Sequence, residues 1–466
     1  MKRAHCFLLP VLGMSLLEGC GGGSSSLPPP PPLATHFSIT APTNIPSGTS
    51  FNFTVTALDA SNNTVSGYSG TVHFTSTDSK AQLPSDSALP GGSKVFSATL
   101  PTAGGQTITA TDTATASLSG NSGTITVGAL AGAFPVELYG AKGDGQTDDT
   151  QAIQNAINAA KAAGGGSVIF KVARYFTTGT LQVPTGVILS GSIEGPFDVA
   201  GVNPAAATIA PTLLVTNTSS PFITLNGLGA GVTDLLFHYP NQVKTGASSP
   251  TVYPYTIEVD SAVAGKVARC TVTNAYNFLD IQLGRVMAQD LLIGALNIGV
   301  NIDHTEDFVT LHNLYNGVFW DEVENAAYPT AIDNWVLSHG IGLMVGRMDA
   351  LEIHDFFAFS RNTGMLFTDS TDNTLNPLCG WGRGSDINLV NVQYGIVATA
   401  SNTFGYSFSN VNVVAAPGGG QAAILLKAGG SLAPDVLVNG GSARGNWALG
   451  AFPTPVAGNL TVANTI

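Results

Sequence analysis

The sequence has little charge, since only 10% of its 466 residues are Asp, Glu, Lys or Arg. Glycine, serine, threonine and asparagine abound instead, a composition that suits stacked strands and turns and disfavours a helical bundle. Acidic residues outnumber basic ones by 30 to 17, so the net charge is -13. This charge argues against nucleic acid as a partner. An acidic polysaccharide could bind a chain of this charge only through local cations or a bound metal ion.

Long apolar runs, nucleotide motifs and cysteines are also scarce. No segment of the mature chain is apolar for long enough to span a bilayer, and no Gly-Lys-Ser/Thr or dinucleotide fingerprint occurs. The four cysteines are Cys6, Cys20, Cys270 and Cys379. Cys270 falls in an apolar strand pattern that predicts a buried thiol. A disulfide between Cys270 and Cys379 stays open, because sequence alone does not show pairing.

Residues 1–20 have the pattern of an export signal, with basic residues at the start and a mostly apolar stretch from Phe7 to Leu17. Leu17-Glu-Gly-Cys20 resembles a bacterial lipobox, which implies lipidation of Cys20 and a membrane partner through that anchor. Ordinary cleavage nearby is the alternative. Residues 21–33 predict a flexible and then stiff tether. The expected location is the bacterial outer membrane or cell surface, or otherwise the periplasm or the medium.

Residues 34–128 predict a small all-β domain. Apolar and polar residues alternate strictly from Phe51 to Leu58 and from Gly70 to Thr75, as in half-buried strands. Several such strands separated by turn residues indicate an immunoglobulin-like β-sandwich, and the segment resembles the Ig-like modules of bacterial surface proteins. We expect a spacer, with a glycan-binding module as the alternative.

Residues 138–165 are the most informative stretch. A glycine-rich turn leads to the capping candidates Thr147, Asp148 and Asp149, and a helix with one apolar face follows. The pattern Gly-Ala-x-Gly-Asp-Gly-x-x-Asp-Asp-Thr-x-Ala-Ile-x-x-Ala from Gly140 resembles the entry segment of the pectate lyase-like superfamily, with its rhamnogalacturonase and epimerase members. The resemblance implies that residues 134–466 form a right-handed parallel β-helix, an all-β fold, with an N-terminal helix as its cap.

From about residue 265 a loose repeat agrees with stacked turns of such a coil. An inward apolar residue precedes Gly or its substitute by six places, with a polar or small residue at the bend two places on. The pairs are Val272/Phe278, Ile293/Gly299, Leu311/Gly317, Val336/Gly342 and Leu389/Gly395, with a further turn at Ile353 and Gly364. Residues 196–222, 240–256 and 368–385 interrupt the repeat and predict surface loops.

The resemblance implies that carbohydrate lies along the sheet that precedes the bend. Outward positions on that sheet, read from the repeat, place Asp290, Asp333, Glu352 and Asp386 on one groove, with Trp335 among them. Asp333 and Glu352 fall on adjacent turns with backbones on the order of 8 Å apart. That separation suits an inverting pair of carboxyl groups, so Asp333, Glu352 and Asp386 are the catalytic candidates. Asp290 and Trp335 are the substrate-binding candidates.

Two other clusters compete for a functional role. Asp303, Glu306 and Asp307 lie in one turn and offer oxygen ligands for calcium, although a simple polar turn explains them too. Trp381 and Arg383, in the insertion 368–385, are suited to clamping a sugar chain. His354 beside Asp355 is either an acid–base pair or a pair of strand neighbours.

An acidic groove and scarce cations favour hydrolysis of a pectin-like or other complex glycan, which needs no cofactor. The alternatives are a calcium-dependent polysaccharide lyase, which would need cations beside a uronate, and a non-catalytic glycan-binding surface protein. A polysaccharide is the expected partner in each case. Because trimers are known among β-helical proteins, a homotrimer stays open.

Overall fold

The structure is a computed structural model. It forms two compact units, Met1–Gly128 and Ala129–Ile466. The described residues are 32–47, 50–102, 104–128, 132–197, 208–242, 248–261, 264–305, 308–317, 330–370, 380–399, 405–416, 421–427, 435–445 and 459–465. Among them, no helix is both long and apolar enough to cross a membrane. The leader, Cys20 and Cys379 lie outside these residues.

The first unit is built from short, mostly antiparallel strands. Strands β1 to β10 are His36–Thr40, Asn44–Pro46, Ser50–Leu58, Thr71–Ser76, Ser87–Ala88, Ser93–Thr99, Gly104–Gln106, Ile108–Asp112, Ser119–Asn121 and Ile125–Gly128, with a 3-10 turn at Pro90–Gly92. They form three sheets, ordered β1-β3-β6, β2-β10-β7 and β5-β4-β8-β9. Phe53 of β3 and Phe74 of β4 pack edge to face at 5.6 Å, so two of the sheets share one core. The immunoglobulin-like class stays a prediction.

The second unit is a stack of parallel strands. Strands β11 to β22 are Ala133–Pro135, Asp144–Asp148, Gly166–Phe170, Ala173–Thr177, Leu181–Pro184, Val187–Gly191, Pro211–Val215, Ile223–Asn226, Gly231–Thr233, Leu236–His238, Tyr255–Val259 and Gly265–Ala268. Strands β23 to β32 are Thr271–Ile281, Val286–Ile302, Phe308–Gly317, Ile341–Val345, Ala350–Phe367, Trp381–Ala398, Tyr406–Ala415, Ala422–Leu426, Asp435–Arg444 and Asn459–Thr465. Helix α1 is Thr150–Ala162, helix α2 is Thr330–His339, and a 3-10 turn spans Val136–Tyr139.

These strands wind into the predicted right-handed parallel β-helix. The first sheet contains β13, β16, β19 and β22 and continues through the starts of β24, β25, β27, β28, β29 and β31. The second contains β14, β17, β20 and the middle parts of the later long strands. The third contains β15, β18, β21, the ends of β23 and β24, and then β26. One continuous apolar core fills the coil.

The corner between the first and second sheets is a row of residues in the left-handed backbone region. They are Asp234, Arg269, Asp290, Asn313, Asp355, Asp386 and Asn410, with φ between 51 and 61°. Asn and Asp adopt this conformation more readily than other side-chain-bearing residues. Their side chains bond along the row: Asn313 Nδ2 donates to Asp290 Oδ1 at 2.9 Å, and Asn410 Nδ2 donates to Asp386 Oδ1 at 2.7 Å. Asn274, Ser360 and Asn391 have positive φ at the next corner.

The predicted repeat combined two frames of this coil. Its inward residues are buried, but Leu311 and Ile353 lie in the first sheet, whereas Val272, Ile293 and Leu389 lie in the second. Both corners follow an inward residue by two places and both favour Asn or Asp, so the pattern did not separate them. The outward positions that the repeat predicts therefore include both corner residues and sheet residues.

The predicted cap helix is present as α1. Its apolar face, Ile153, Ala156, Ile157 and Ala160, is buried at the start of the coil. The buried Asp149 carboxylate does not cap the helix; it accepts hydrogen bonds from the backbone N–H groups of Lys142 and Gly143, at 2.6 and 3.0 Å. This contact holds the glycine-rich turn against the first turn of the coil.

The predicted strand around Val336 is wrong, because α2 occupies this part of the chain. Ile332 and Val336, four residues apart on one helical face, are buried against Leu296 in a separate small cluster. Asp333 and Trp335 are therefore on a helix and not in a row of strand residues. Trp335 stacks on His339, with ring centroids 4.4 Å apart.

Candidate active site

The first sheet carries a polar network on its outward surface. Arg383 Nη2 donates to Glu352 Oε1 at 3.0 Å, and His354 Nε2 lies 3.4 Å from the same oxygen. His354 Nδ1 shares a 2.9 Å hydrogen bond with Ser385 Oγ. The pairing of β27 with β28 sets Glu352 directly beside Arg383 and His354 beside Ser385, which explains why four residues from two turns of the coil meet.

The structure separates the residues predicted for one groove. Glu352 lies on the first sheet, but Asp290 and Asp386 lie at the corner, where Asp290 holds Asn313. Asp333 lies on α2, so the predicted pairing of Asp333 with Glu352 on adjacent strands is wrong. Trp381 and Arg383 were expected in a loop and instead open strand β28.

The carboxyl groups near this network favour the ionised state. Hydrogen bonding to His354 lowers the pKa of Glu352, with Arg383 acting in the same direction. The amide of Asn410 lowers the pKa of Asp386. A glycosidase also needs a carboxyl group that keeps its proton long enough to donate it to the leaving oxygen. Neither residue has this property.

The third sheet carries a second polar row that the sequence reading missed. Glu258 of β21 pairs with Asp280 of β23, and Asp280 pairs with Asn301 of β24. Asp280 and Asn301 are less than a tenth exposed, while Glu258 is half-buried. Neighbouring strands are about 4.8 Å apart, so the two carboxyl-bearing residues stand side by side on adjacent turns.

Amide groups orient the Asp280 carboxylate. Asn301 Nδ2 donates to Oδ1 at 2.8 Å, and Gln282 Nε2 lies 2.9 Å from both oxygens. Burial nevertheless raises the pKa of Asp280, and the nearby charge of Asp303 acts in the same direction. Burial and then the charge of Asp280 raise the pKa of Glu258. Paired carboxyl groups with perturbed pKa values are typical of acid–base sites.

The residues predicted for calcium are placed only in part, because Glu306 and Asp307 lie outside the described residues. Asp303 is buried, and its Oδ1 accepts hydrogen bonds from the backbone N–H groups of His304 and Arg347, both at 2.9 Å. Asp280 likewise points its oxygens at amide donors. Over the described ranges no group of three or more His, Cys, Asp or Glu residues is arranged to hold a metal ion. The calcium site therefore stays a prediction, with Asp303 as its one member among the described residues.

A local sequence signal does mark the third-sheet row. Three strand ends read Ile257-Glu-Val-Asp260, Leu279-Asp-Ile-Gln282 and Val300-Asn-Ile-Asp303. Each alternates an inward apolar residue with an outward acid or amide, as expected of a strand with one polar face. The repeat from residue 265 follows strands of the first and second sheets, so it does not include this recurrence.

The apolar strand pattern around Cys270 correctly predicted a buried thiol. The side chain is fully buried and not in a disulfide, and burial raises the pKa of the thiol to about 12. It therefore stays protonated and unreactive. It serves the packing of the core and not the chemistry of the site.

The chain folds into a parallel β-helix that carries a pair of neighbouring carboxyl groups on its third sheet. Residues 133–318 match the family described as rhamnogalacturonase A/epimerase, pectate lyase-like. Residues 133–318 therefore show the pectate lyase-like relationship that the entry segment predicted.

Short segments are similar to curated proteins. One is 46% identical over 56 residues to alginate lyase 7 of Azotobacter vinelandii, covering 12% of this chain and 6% of that protein. Another is 58% identical over 38 residues to the capsule KN3-specific depolymerase 1 of Klebsiella phage KN3-1, covering 8% and 5%. The chain thus spans only a small fraction of the length of these relatives.

Solved structures resemble the coil more extensively. The A-module of mannuronan C-5 epimerase AlgE6 from Azotobacter vinelandii aligns with a TM-score of 0.46 and 16% identity, over 72% of this chain and 99% of that one. The polygalacturonase from Erwinia carotovora ssp. carotovora aligns with a TM-score of 0.45 and 13% identity, over 69% and 90%. At these values neither comparison bears on the reaction of this chain.

Proposed function

We propose that this protein hydrolyses glycosidic bonds of a polysaccharide, with Glu258 and Asp280 as its reacting carboxyl groups. The observation that carries the proposal is their direct pairing on adjacent strands with both pKa values raised. The family match and the alginate lyase and depolymerase names of the short relatives support a polysaccharide as the substrate.

The two carboxyl groups differ in their surroundings. Amide donors from Gln282 and Asn301 favour the ionised form of Asp280, which suits attack on the anomeric carbon. Glu258 faces that negative charge and is more exposed, which suits donation of its proton to the leaving glycosidic oxygen. A water molecule then gives a proton to Glu258 and its oxygen to the anomeric carbon, which releases Asp280. Strand spacing places the two backbones about 4.8 Å apart. Carboxyl groups about 5 Å apart are typical of retention of configuration, so we expect retention.

The arrangement supports hydrolysis better than elimination. Elimination needs a cation beside the uronate carboxylate and a base beside the proton removed. Arg269 binds Asp234 through two contacts of 2.7 Å at the corner, and the fully buried Arg361 donates to Asn316. Arg383 is exposed but lies on the first sheet, whereas Glu258 and Asp280 lie on the third. Calcium-dependent elimination is the alternative, and Asp303 is the described member of its predicted ligands.

Matched carboxyl-to-amide substitutions test the proposal. Glu258→Gln and Asp280→Asn should each lower kcat/KM by at least about a hundredfold, because each removes a proton-transfer or nucleophilic group. Glu194→Gln, whose side chain is 81% exposed beside Arg269, is the control and should change kcat/KM less than about threefold. The assay measures reducing-sugar release from a panel that includes polygalacturonate, alginate and neutral glucans.

Product analysis separates the alternatives. Hydrolysis adds water to the products, which mass spectrometry detects, and proton NMR should show the retained anomer first. Unsaturated products would establish elimination, and binding without any product would establish a non-catalytic glycan-binding protein. Full activity of Asp280→Asn would contradict the assignment of the site.

Export and anchoring through Cys20 are further proposals, supported by the lipobox pattern of Leu17-Glu-Gly-Cys20. In a bacterial host with a lipoprotein pathway, the wild type should incorporate labelled palmitate and Cys20→Ser should not. A homotrimer stays a prediction. Sedimentation of the purified chain would determine its oligomeric state.

A further inference from the structure

The first sheet has a pocket of its own beside the Glu352 network. It has a volume of about 500 Å³ and is lined by Trp381, Gly382, Arg383, Gly405 and Ser407. The lining residues come from the starts of β28 and β29, which are neighbouring turns of the coil. Glu258 and Asp280 lie on the third sheet, so this pocket is separate from the site of the proposed hydrolysis.

The side chains of the pocket combine an aromatic surface with a positive charge. Trp381 and Arg383 are two residues apart on one strand, so their side chains lie on the same side of the sheet. Trp381 is half-buried, while Arg383 is 68% exposed and gives one hydrogen bond, from Nη2, to Glu352. A guanidinium has five donors, so most of those on Arg383 stay available to a ligand.

Two neighbours shape the position of Arg383. Glu352 holds the guanidinium from the preceding turn, and Ser407 stands beside it on the following turn with an exposed hydroxyl. The contact with Glu352 orients the guanidinium beside the pocket. An aromatic ring next to a guanidinium suits a sugar ring that carries a carboxylate.

We propose that this pocket is a secondary, non-catalytic binding site for an acidic sugar unit of the polysaccharide. Trp381 stacks on the sugar ring, Arg383 pairs with its carboxylate, and Ser407 hydrogen-bonds to a hydroxyl group. The choice of a polysaccharide as ligand rests on the proposed function. The location and the preference for an acidic sugar rest on the pocket itself. Such a site keeps a polymer attached while another segment of it reaches the third sheet.

Binding measurements in an Asp280→Asn background test this proposal without turnover. The probes are an oligogalacturonate fraction and a neutral cello-oligosaccharide fraction, titrated by calorimetry. Trp381→Ala should weaken the Kd of the pocket for oligogalacturonate by about tenfold or more. Arg383→Gln should do the same for oligogalacturonate and leave weak binding of the neutral probe unchanged.

Lys266→Gln is the matched charge control. Lys266 lies in the same outward row as Arg383, with Met287, Thr310 and Glu352 between them. The Lys266→Gln substitution should change the Kd for oligogalacturonate less than twofold, although it removes the same unit of charge as Arg383→Gln. Thermal unfolding of each variant establishes that the fold is intact.

The outcomes distinguish this site from the catalytic one. The pocket is supported if Trp381→Ala and Arg383→Gln lose oligogalacturonate binding while Lys266→Gln keeps it. This conclusion holds even if Asp280→Asn keeps its hydrolytic activity in a separate assay, a result that would contradict only the catalytic assignment. Failure of the Asp280→Asn protein to bind either probe would overturn the proposal of the pocket. Equal weakening by Lys266→Gln would also overturn it, because binding would then depend only on overall charge.

Discussion

At the scale of single residues, differences in burial shift the pKa values of acids on different sheets in opposite directions. Glu352 stands on the surface beside His354 and Arg383, and its pKa is lowered. Asp280, at an outward position of the third sheet, is only 5% exposed, and desolvation raises its pKa despite two amide donors. Desolvation penalises the charged form, whereas hydrogen bonds to a carboxylate favour it. The assignment of Glu258 and Asp280 as the reacting groups depends on this difference in pKa shift and not on the number of acidic residues in a row.

The raised pKa values predict a pH dependence of stability. For Glu258 and Asp280, the folded state binds protons more tightly than the unfolded state does. Their contribution is therefore fully present below the ordinary carboxyl pKa of about 4 and is lost as pH rises through the folded-state pKa values. As pH rises from about 4 through the folded-state pKa values, the free energy of unfolding should fall more steeply in the wild type than in Asp280→Asn. Urea unfolding at a series of pH values measures both.

Glu352→Gln is the control for this dependence. Because the pKa of Glu352 is lowered, its contribution has the opposite sign and is lost as pH falls. The difference between wild type and Glu352→Gln should therefore not decrease toward neutral pH. A constant difference between wild type and Asp280→Asn at all pH values would show that Asp280 titrates normally.

At the scale of structural elements, the first corner depends on residues that tolerate positive φ. Asn313 has a φ of 55° and bonds to Asp290. Asn313→Gly should lose the hydrogen bond but keep the backbone relaxed. Asn313→Val should be less stable than Asn313→Gly by about 1–2 kcal/mol, because its β-branched side chain crowds the left-handed backbone. Chemical unfolding measures both variants.

Thr310→Val, on the same strand before the corner, is the control for β-branching and should be nearly neutral. If Asn313→Val proved as stable as Asn313→Gly, the corner would not impose the left-handed conformation in solution.

The cap helix α1 predicts a second effect on stability. Ile157 is fully buried against the start of the coil. Ile157→Ala should lower the free energy of unfolding by about 2–4 kcal/mol, through lost burial and a cavity. Lys161→Ala, on the exposed side of the same helix, should stay within about 0.5 kcal/mol of the wild type. Equal effects of the two substitutions would show that α1 does not cap the coil.

At the scale of the whole molecule, net charge affects the approach of a polymer. A charge of -13 repels an acidic polysaccharide at long range, although Arg383 attracts it locally. Raising the ionic strength from low values should therefore first lower the KM for polygalacturonate, because added salt screens the repulsion. The KM for a neutral glucan should not change. A KM for polygalacturonate that rises from the lowest salt would contradict net repulsion.

The coil and its cap were predictable from the sequence because their signals are local. The glycine-rich turn, the apolar face from Ile153 to Ala160 and the apolar strands of the repeat each lie within a few residues of one another. The repeat predicts a strand at helix α2 because Val336 and Gly342 have the spacing of its other pairs. Ile332 and Val336, four residues apart, have the spacing of a helix instead.

The site was much less predictable, for a physical reason. The sequence by itself determined that apolar residues repeat, that Asn and Asp mark the corners and that acids lie on outward positions. Only the tertiary structure decided which strands align, because each turn contains three strands and an error of one strand moves a residue to another sheet. That alignment joins Glu258 to Asp280, separates Asp333 from Glu352 and buries one pair of acids enough to change their chemistry.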